Sequence, residues 1–599
     1  MSQENKSAGI PLPNIFDRPA NTVTLTINDI PVTVNRNSTI LEAATKAGVH
    51  IPTLCHLALD GFDIHSETSS CRVCVVEVEG RPRLVTSCSE KVVEGMVVRT
   101  DSPRAIRGRR TNLELLLSNH PRACLTCAKN LDCELQKLAR DMSIREITYK
   151  GERKRFDIEY SSRAIIKDPD KCIMCRRCET MCNDVQTVHV LSALGRGFDS
   201  VVGPAFHADL GETTCTFCGQ CVAVCPTAAL TEVNETSRVW RALHDEKKHV
   251  VVQVAPAVRV AIGEMFGMAP GSISTGKIAT ALRRLGFDAV FDTNWGADLT
   301  VVEEASELVS RIQNGGPMPI LTSCCPAWVN FIESQFPDML HIPSTSKSPM
   351  IMLGAMAKSY YAQERGIDPD SIVVVSIMPC LAKKAEAARP ELSKDENQNV
   401  DIVISTREFG HMLQEIGIDF PNLVESDFDS LMGESTGASI IFGTTGGVIE
   451  AACRTAYEIL MEQPLERVEL TQLRGLEGIR SGTVMFGDTP IRIGIAHGLG
   501  NARRLLEGLR SGEYEFEAIE IMACPGGCIG GGGQPYHHGD MEVLQDRQRA
   551  LYREDRNTPL RKSHENPMIR RIYDEFLGTP YGEKAHELLH THYTAREKI

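Results

Sequence analysis

Cysteines are the residues of this sequence with the clearest capacity for chemistry. The 599 residues include 21 cysteines, and most of them stand in short clusters. Chains that depend on disulfides are usually short secreted domains, whereas this chain is long enough to bury several hydrophobic cores. Clustered cysteines in such a chain indicate metal binding, because thiolates select iron–sulfur clusters or zinc. We therefore expect a reducing compartment, the cytoplasm.

Two cysteine runs share one regular spacing. Each reads C-x2-C-x2-C-x3-C, and the second is followed directly by Pro226. This spacing is typical of two-cluster bacterial ferredoxins, in which the fourth cysteine of each run ligates the other cluster. The runs therefore predict two [4Fe–4S] clusters. One is expected to bind Cys172, Cys175, Cys178 and Cys225, and the other Cys182, Cys215, Cys218 and Cys221.

Two further groups of potential metal ligands precede these runs. The first places a C-x-x-C pair between two outlying cysteines, which fits a [2Fe–2S] cluster or zinc. The second joins one histidine to three cysteines, which fits a zinc site or a [4Fe–4S] cluster with one histidine ligand. The β-rich sequence around the first group favours [2Fe–2S]. The groups are Cys55, Cys71, Cys74 and Cys88, and His120, Cys124, Cys127 and Cys133.

Three small domains are predicted to carry these ligands. Residues 20–100 contain two alternating strands and then a helix, whose start at Thr39 and Glu42 has capping-box spacing. A hairpin, a helix and a cysteine-bearing loop suggest a β-grasp ferredoxin domain. Residues 101–160 form a short helical module. Residues 161–240 have little besides cysteines to build a core, so their metal must hold them together.

From residue 245 to residue 599 the pattern changes to alternating strands and helices. Such alternation is typical of α/β architecture with parallel sheets, so the whole chain is expected to be multidomain, with α+β and α/β parts. Amphipathic helices are predicted at 277–285 and 302–312, and residues 540–599 are charged and helical. The predicted strands cover 250–255, 319–322, 371–377, 400–404, 491–496 and 516–522.

Three more cysteine motifs stand at the ends of three of these strands. In open parallel sheets, ligands bind at the carboxyl ends of strands, so three strand ends can meet around one buried cofactor. The isolated Cys453 instead fits a buried small hydrophobic residue. The motifs are TSCCPAW at 322–328, IMPCLAKKAE at 377–386 and IMACPGGCIGGGGQP at 521–535.

Charge and hydropathy exclude several classes of function. The net charge of −14 gives no electrostatic support to a nucleic-acid partner. No apolar run reaches the roughly 18 residues that a membrane-spanning helix needs. Residues 1–19 are polar and proline-rich, without the basic-then-apolar pattern of a secretory signal.

The three motifs, together with the cysteine groups that precede them, closely resemble the [FeFe]-hydrogenase family over nearly the whole chain. The likeness is greatest to catalytic subunits of multi-subunit, NAD(P)-linked members, often electron-bifurcating. It implies the reaction 2H+ + 2e− ⇌ H2 in a two-lobed α/β domain at 245–599. The implied cofactors are one [2Fe–2S] cluster, three accessory [4Fe–4S] clusters and an H-cluster, a [4Fe–4S] cubane joined to a diiron unit with CO, cyanide and azadithiolate.

The resemblance also implies roles for residues of the motifs. The cubane ligands are Cys325, Cys380, Cys524 and Cys528, and Cys528 also bridges to the diiron unit. Cys324 matches a cysteine that shuttles protons, and Lys383 matches a lysine that bonds a cyanide ligand. Residues matching those around the diiron unit are Met378, Met522 and Pro256.

A proton path and four departures complete the resemblance. Carboxylates and hydroxyls pass protons by short hops, and Glu304, Glu307, Ser344 and Arg311 match the family's path outward from Cys324. This chain departs from the family's best-known monomeric members at four positions. Three of the replaced residues are polar in those members, and the fourth is a glycine. We expect these changes to alter cluster electronics but not cluster binding. The departures are Ala257, Ala327, Met350 and Pro525.

Partners follow from the same resemblance, and two other functions stay open. The resemblance implies a flavin-bearing NAD(P)-binding subunit and a further iron–sulfur subunit, or ferredoxin, as electron partners. No Rossmann fingerprint follows a strand, so another subunit must bind the nucleotide. The alternatives are an iron–sulfur assembly or electron-transfer protein, and a hydrogen sensor. Intact Cys324, Cys528 and Lys383 argue against the first, and Cys324 argues against the second.

Overall fold

The structure is a computed structural model in which the described residues form two compact units. The described residues are 21–59, 64–66, 68–394 and 397–597. The first unit comprises 21–56, 68–126 and 130–153. The second comprises 57–59, 64–66, 127–129, 154–394 and 397–597. Residues 1–19, where we predict no secretory signal, lie outside the described residues.

The first unit contains a five-stranded sheet and a capped helix. Up to residue 153 the strands are β1 (Thr22–Ile27), β2 (Ile30–Asn35), β3 (Ala58–Leu59), β4 (Ile64–His65), β5 (Val75–Val78), β6 (Val85–Thr86) and β7 (Val97–Arg99), and the helices are α1 (Ile40–Lys46), α2 (Pro103–Asn119) and α3 (Glu134–Asp141). The sheet has the order β2-β1-β7-β5-β6, whereas β3 and β4 belong to the second unit. The predicted capping box between Thr39 and Glu42 is confirmed, with bonds of 2.9 and 3.2 Å.

The ferredoxin-like part of the second unit has few regular elements. They are β8 (Ile165–Lys167), β9 (Ser192–Leu194), β10 (Val201–Gly203), β11 (Leu230–Glu232), α4 (Arg177–Thr180), α5 (Gln220–Ala223) and α6 (Thr236–Leu243). Two buried amides attach this part to the motif at 521–535: Gln186 Nε2 donates to the Ala523 carbonyl, and Gln220 Nε2 donates to the Gly530 carbonyl, each over 2.9 Å. Its apolar side chains share one hydrophobic core with Trp328.

The remainder of the second unit is a two-sheet α/β domain. Its strands are β12 (His249–Val254), β13 (Ala289–Asp292), β14 (Ile320–Leu321), β15 (Ile372–Met378), β16 (Ser393–Lys394), β17 (Asn397–Gln398), β18 (Ile402–Ser405), β19 (Ile479–Phe486), β20 (Thr489–His497) and β21 (Ala518–Met522). Its helices are α7 (Thr275–Leu285), α8 (Thr293–Asn314), α9 (Pro326–Gln335), α10 (Pro349–Met356), α11 (Ala362–Arg365), α12 (Ala382–Ala387), α13 (Thr406–Glu415), α14 (Gly437–Ile440), α15 (Gly447–Met461), α16 (Leu499–Ser511), α17 (Met541–Asn557), α18 (Pro567–Ile572) and α19 (Glu583–Leu589).

The two sheets agree with the predicted parallel arrangement except at one edge. The first sheet, β13-β12-β15-β18, is parallel throughout. The second, β14-β21-β20-β19, is parallel except that β19 pairs antiparallel with β20 in a hairpin. The short buried strand β13 and the first turns of α8 are absent from the sequence prediction. Asp292 ends β13 and caps α8, so no loop separates the two elements.

A glycine run lets the backbone approach closely at the junction of the two sheets and the ferredoxin-like part. A Cβ added at Gly531 would lie 2.2 Å from the Pro379 carbonyl oxygen. One added at Gly532 would lie 2.7 Å from the Cys218 carbonyl oxygen. Real Cβ atoms do not approach backbone atoms this closely, so only glycine fits at these positions.

The predicted helical character of residues 540–599 is confirmed by α17, α18 and α19. The segment after α19 pairs with the loop before α10. Thr591 N donates to the Thr345 carbonyl over 2.8 Å, and Lys347 N donates to the Leu589 carbonyl over 2.7 Å. Among the described residues, none of the helices combines the length and hydropathy needed to cross a membrane.

Candidate active site

Four cysteines from three strand ends converge at the carboxyl edges of the two sheets. Cys325 follows β14 and precedes α9, Cys380 follows β15, and Cys524 and Cys528 follow β21. The Cys524 thiol lies near the other three, and its pKa is raised by burial first and then by Cys380 and Cys325. The fold thus brings together the four thiols that the sequence predicts as one ligand set.

The donor chemistry of these four thiols fits a metal cluster. Burial raises the pKa of Cys528 to about 12 and also raises that of Cys325, so the thiols stay protonated without a compensating positive charge. Metal coordination removes thiol protons, because the thiolate is the ligand. The Ala523 amide lies 3.5 Å from the Cys325 sulfur and is placed to donate to a thiolate there. These residues therefore fit the [4Fe–4S] half of an H-cluster.

Lys383 provides a buried positive charge beside the thiols. Its ammonium donates to the Cys324 carbonyl over 3.1 Å and pairs with the Glu386 carboxylate at 2.8 Å. Burial is the largest single influence and acts to lower the pKa of Lys383, but the charge and hydrogen bond of Glu386 together with Cys380 and Cys324 outweigh it, so the pKa is raised. The lysine therefore stays charged where a cyanide ligand would need a donor. Sequence reasoning missed the role of Glu386, although the motif at 377–386 includes it.

The other predicted neighbours of the diiron unit also stand at strand ends. Met378 is the last residue of β15 and Met522 is the last residue of β21, and both are 2% exposed. Pro256 lies two residues beyond β12. All four residues at which the chain departs from the family pattern are buried. They are Ala257, Ala327, Met350 and Pro525.

The predicted proton-path residues surround one face of α8. The Ser344 hydroxyl donates to the Glu307 carboxylate over 2.7 Å. Arg311 pairs with the same carboxylate at 2.5 Å and also donates to the Ile342 and Pro343 carbonyls. Glu307 and Arg311 are 1% and 8% exposed, so the pair is buried. The structure therefore brings Glu307, Ser344 and Arg311 together in direct contact.

Glu304 lies close enough to Glu307, Arg311 and Cys324 to interact electrostatically with each of them. Burial, followed by the charge of Glu307, raises the pKa of Glu304 to about 8. Within the described part of the chain neither of its carboxylate oxygens has a hydrogen-bond partner, although the nearby Ser323 amide favours the ionised form. Burial and Glu304 in turn raise the pKa of Cys324. A carboxyl group with a pKa near neutrality can both accept and release a proton.

The eight ferredoxin-like cysteines divide into two sets of four. Each set lines one cavity, and the fourth cysteine of each sequence run lies with the other run. Burial raises the pKa of Cys218 to about 11, and Cys325 is among the nearby charges, so the second set adjoins the candidate active site. The sets are Cys172, Cys175, Cys178 and Cys225, and Cys182, Cys215, Cys218 and Cys221.

The first unit holds the remaining cysteine set of the β-grasp domain. The Cys74 and Cys88 sulfurs lie 3.5 Å apart, and Ser69 Oγ lies 3.5 Å from the Cys88 sulfur. A hydrogen bond between Cys55 and Cys71 lowers the pKa of Cys55 and raises that of Cys71. These contacts suit four thiolates around one metal centre.

The donors of the histidine-containing group lie at helix ends and turns. His120 ends α2, Cys124 opens a short 3-10 turn, and Cys133 precedes α3 in the first unit. Cys127 belongs to the second unit. Cys124 is exposed, and Cys127 and Cys133 are half-buried. Their joint ligation of iron stays a prediction from the sequence.

Several groups near the proton path are absent from the sequence prediction. Glu303 is buried on α8 and accepts from Tyr573, and His590 Nε2 lies 3.0 Å from its carboxylate. Tyr593 donates to the Ser344 carbonyl over 2.6 Å. Only tertiary contacts bring these C-terminal residues to α8, and the sequence offers no motif to mark them. Cys453 lies fully buried in an apolar core, as its isolated position predicts.

Comparison with known protein families covers most of the chain. Residues 248–532 match the family described as iron only hydrogenase large subunit, C-terminal domain, and residues 541–596 match iron hydrogenase small subunit. Residues 20–103 match a 2Fe-2S iron-sulfur cluster binding domain, and 171–229 match a 4Fe-4S dicluster domain. Residues 109–148 match the NADH-ubiquinone oxidoreductase-G iron-sulfur binding region.

Individual relatives extend this similarity over the full length. The chain is 56% identical to the NADP-reducing hydrogenase subunit HndD of Solidesulfovibrio fructosivorans, over 96% of this chain and 100% of that protein. It is 38% identical to iron hydrogenase 1 of Clostridium pasteurianum, over 95% of this chain and 99% of that protein. A solved [FeFe]-hydrogenase from Chlamydomonas reinhardtii matches with a TM-score of 0.55 and 44% identity, covering 61% of this chain and 99% of that one.

Glu304 should titrate near neutrality in the chain that carries its iron–sulfur clusters but no diiron unit. Its pKa of about 8 means that the carboxyl is protonated below this pH and ionised above it. Infrared difference spectra should lose a buried carboxyl C=O band as the pH rises through about 8, and Glu304→Gln should abolish that change. The matched control is Asp298→Asn, because buried Asp298 has a pKa of about 6. If the same band is still lost near pH 8 in Glu304→Gln, the band does not belong to Glu304.

Proposed function

The chain belongs to the iron-only hydrogenase family, and on that basis we propose which of its residues interconvert H2 with protons and electrons. It is the catalytic chain of an iron–iron hydrogenase, with iron–sulfur domains that support an electron relay. The observation that carries the residue assignments is the convergence of four thiols from three strand ends, two of them buried and two half-buried, with Cys324 and Glu304 beside them.

We propose that these thiols and their neighbours hold the H-cluster. The cubane would be held by Cys325, Cys380, Cys524 and Cys528, and Cys528 would also help to hold the diiron unit. When bound, the H-cluster supplies the iron site at which the H–H bond is made or broken. Lys383 holds a positive charge at that site, since Glu386 keeps its pKa raised. Met378, Met522 and Pro256 exclude water from it.

The protein's own part in the reaction is to move protons. Cys324 exchanges a proton with the active site and with Glu304, whose pKa of about 8 suits transfer in both directions. Ser344 and Glu307 continue the route, since the Ser344 hydroxyl donates directly to Glu307. Arg311 fixes the orientation of Glu307 through its 2.5 Å ion pair. Reversal of the same steps serves hydrogen oxidation.

Replacing Cys324 with serine tests this function. In the enzyme matured with its diiron unit, Cys324→Ser should keep the infrared CO and CN bands. Its dye-linked H2 evolution should fall about 10²- to 10⁴-fold, because a serine hydroxyl is a much weaker acid than a thiol. The control is Cys453→Ala, which removes a thiol from an apolar core. Near-wild-type turnover of Cys324→Ser would remove Cys324 from the proton route.

We propose a relay of four accessory clusters. The two ferredoxin-like cysteine sets hold [4Fe–4S] clusters, and the set at 182–221 passes electrons to the active site that it adjoins. The β-grasp set holds [2Fe–2S], and the His120 group holds a [4Fe–4S] cluster. We place the protein in the cytoplasm, because thiolate ligands in this number suit a reducing setting.

Metal analysis tests the proposed cluster types. The fully loaded chain should contain about 20 iron atoms, from one [2Fe–2S] cluster, three accessory [4Fe–4S] clusters and the H-cluster. Cys133→Ala should lower that number by about four and leave the dye-linked hydrogenase activity in place. About one zinc per chain with about 16 iron atoms would show that the His120 group binds zinc instead.

We propose that the first unit exchanges electrons with a flavin-bearing, NADP-binding subunit. The full-length relative HndD is named as a subunit of an NADP-reducing hydrogenase. Leu125 and Leu131 flank the cysteines of the His120 group and are 91% and 83% exposed. Exposed leucines beside a cluster suit a protein partner. A further iron–sulfur subunit completes the complex, with ferredoxin as the alternative electron carrier.

Nucleotide-linked assays test this partner. The purified chain should oxidise H2 with artificial dyes but should reduce NADP+ only after a flavoprotein subunit is added. Leu125→Asp combined with Leu131→Asp should reduce the flavoprotein-linked rate at least about tenfold and spare the dye-linked rate, because a charge in an apolar contact weakens binding. Val424→Asp is the control, since Val424 is 80% exposed in the catalytic domain. NADP+ reduction by the chain alone contradicts the proposal.

A further inference from the structure

The two ferredoxin-like cysteine sets differ in the charges that lie beside them. When a [4Fe–4S] cluster is reduced it gains one electron, so its reduced form carries the more negative charge. A positive charge nearby stabilises the reduced form and raises the reduction potential, whereas a negative charge lowers it. These effects are strongest where water is excluded. The first set is Cys172, Cys175, Cys178 and Cys225, and the second set is Cys182, Cys215, Cys218 and Cys221.

Lys129 places a buried ammonium group against the backbone of the first set. Its Nζ donates to the Cys225 carbonyl over 2.5 Å, and the residue is 2% exposed. The same ammonium lies over the Tyr536 ring, 3.8 Å from the ring centroid. The face of an aromatic ring attracts a cation, which helps Lys129 to stay charged while it is buried beside Cys225.

Lys154 places a second buried ammonium group against the same set. Its Nζ donates to the Cys172 carbonyl, and the residue is 7% exposed. Burial lowers the pKa of Lys154, whereas the charges of Cys172, Asp170 and Asp168 act to raise it. A bound cluster is anionic, so it favours the protonated lysine in the same way as a Cys172 thiolate does.

The other charged groups near the first set do not cancel these two lysines. Asp168 pairs with Lys171 at 2.8 Å, so its charge is shared with a third ammonium group. Burial raises the pKa of Cys175, and the nearby charge of buried Arg177 acts to lower it. Buried cations therefore lie beside three of the four cysteines of the first set.

The second set has carboxylates beside two of its cysteines. Burial raises the pKa of Cys182, and the charge of Glu179 acts in the same direction. Burial also raises the pKa of Cys215, with Glu159 as a further contribution. Glu179 pairs at 2.6 Å with Arg176, but the Arg176 side chain is exposed and is screened by water more than the half-buried carboxylate.

We propose that Lys129 and Lys154 raise the reduction potential of the first cluster above that of the second, so that a single electron shared by the two resides mainly on the first. This inference rests on the proposed function, since it requires a [4Fe–4S] cluster in each set. The two lysines are positioning residues, because they act on the electron through the cluster and do not contact H2.

The difference in potential gives the relay a preferred direction. The second set adjoins the candidate active site, so an electron released by H2 oxidation reaches the second set before the first. Its onward transfer is favourable, because one electron leaves the set with the lower potential and enters the set with the higher one. No bond or proton changes in this step. Transfer in the opposite direction, which H2 evolution requires, is opposed by the same difference.

A redox titration followed by electron paramagnetic resonance tests the order of the two potentials. The sample is the full chain that carries its iron–sulfur clusters but no diiron unit. Cys175→Ala and Cys218→Ala assign the signals, because each should alter or remove the signal of one reduced cluster. In the wild-type chain, the signal of the first cluster should grow at a higher potential than that of the second. Equal potentials, or the reverse order, would overturn the proposal.

Replacing the lysines tests their part in this order. Methionine keeps an unbranched side chain of similar length but removes the charge. In Lys129→Met and in Lys154→Met, the ratio of oxidised to reduced first cluster at a fixed potential should rise at least about tenfold, which is about 59 mV for a one-electron couple. The second cluster should shift less, and Lys154→Arg should restore most of the wild-type value because it retains the charge.

The matched control removes a lysine that lies elsewhere. Lys358 has a side chain that is 8% exposed, and it donates to the Gln398 carbonyl over 2.6 Å and pairs with Asp401 at 2.9 Å in the catalytic domain. Lys358→Met should leave both titrations unchanged. Wild-type potentials of the first cluster in both methionine variants of Lys129 and Lys154 would overturn the proposal. So would equal shifts in Lys154→Met and Lys154→Arg, since that result marks a packing role.

Glu179→Gln tests the same electrostatic account from the second set and keeps both lysines. Removal of this carboxylate should raise the potential of the second cluster, with about a two- to threefold change in its oxidised-to-reduced ratio, because the half-buried charge is partly screened. This variant decides the test if a lysine variant fails to retain its cluster, and an unchanged potential then contradicts the proposal. If Cys175→Ala alters no signal, the first set holds no cluster and the proposed relay itself fails.

Discussion

The removal of ionisable groups from water is the constraint on which this structure depends. Burial is the largest influence on the thiols at the strand ends, on Glu304 and on Lys383. A buried charge is costly unless another charge or a metal compensates it. The thiols therefore need iron, Lys383 needs Glu386, and Glu307 needs Arg311. The chemical role of each buried group in the site depends on the partner that the fold places beside it.

Glu304 differs from the other charged groups of the proposed proton route, because its carboxylate has no compensating partner among the described residues. It is the path residue whose carboxylate oxygens lack a hydrogen-bond partner in the described part of the chain, and its neighbour Glu307 carries the same charge. Because neither influence favours ionisation, the carboxyl keeps its proton near neutral pH. A residue with a partner, such as Glu307, is instead held in one orientation. Glu304 can therefore gain and lose a proton while Glu307 and Arg311 keep their positions.

Much of this site could be predicted from the sequence because its chemistry is local in the chain. Cysteines at fixed spacings, and cysteine motifs at the ends of apolar runs, predict metal ligands before any tertiary contact is known, and the family resemblance supplies the role proposed for each. Glu304 and Glu307 could be placed on one face because helix periodicity relates them. The missing parts depend on long-range contacts. His590 reaches Thr345 across 245 residues, and no periodicity predicts that approach. The strand β13 was missed because four residues give too short a pattern and α8 begins directly after it.

The glycine run at 530–533 also sets how far an electron must travel. At Gly532 the backbone of the active-site motif lies against the backbone of Cys218 and Gly219, with no side chain between them. Cys218 belongs to one predicted ligand set and Cys528, four residues before Gly532, to the next, so the chain segments that carry the two sets are in direct backbone contact here. Electron tunnelling weakens exponentially with distance, so a side chain at Gly532 that forced these two segments apart would slow electron transfer between the two predicted sites. These glycines therefore matter for the rate of electron transfer as well as for the packing of the backbone.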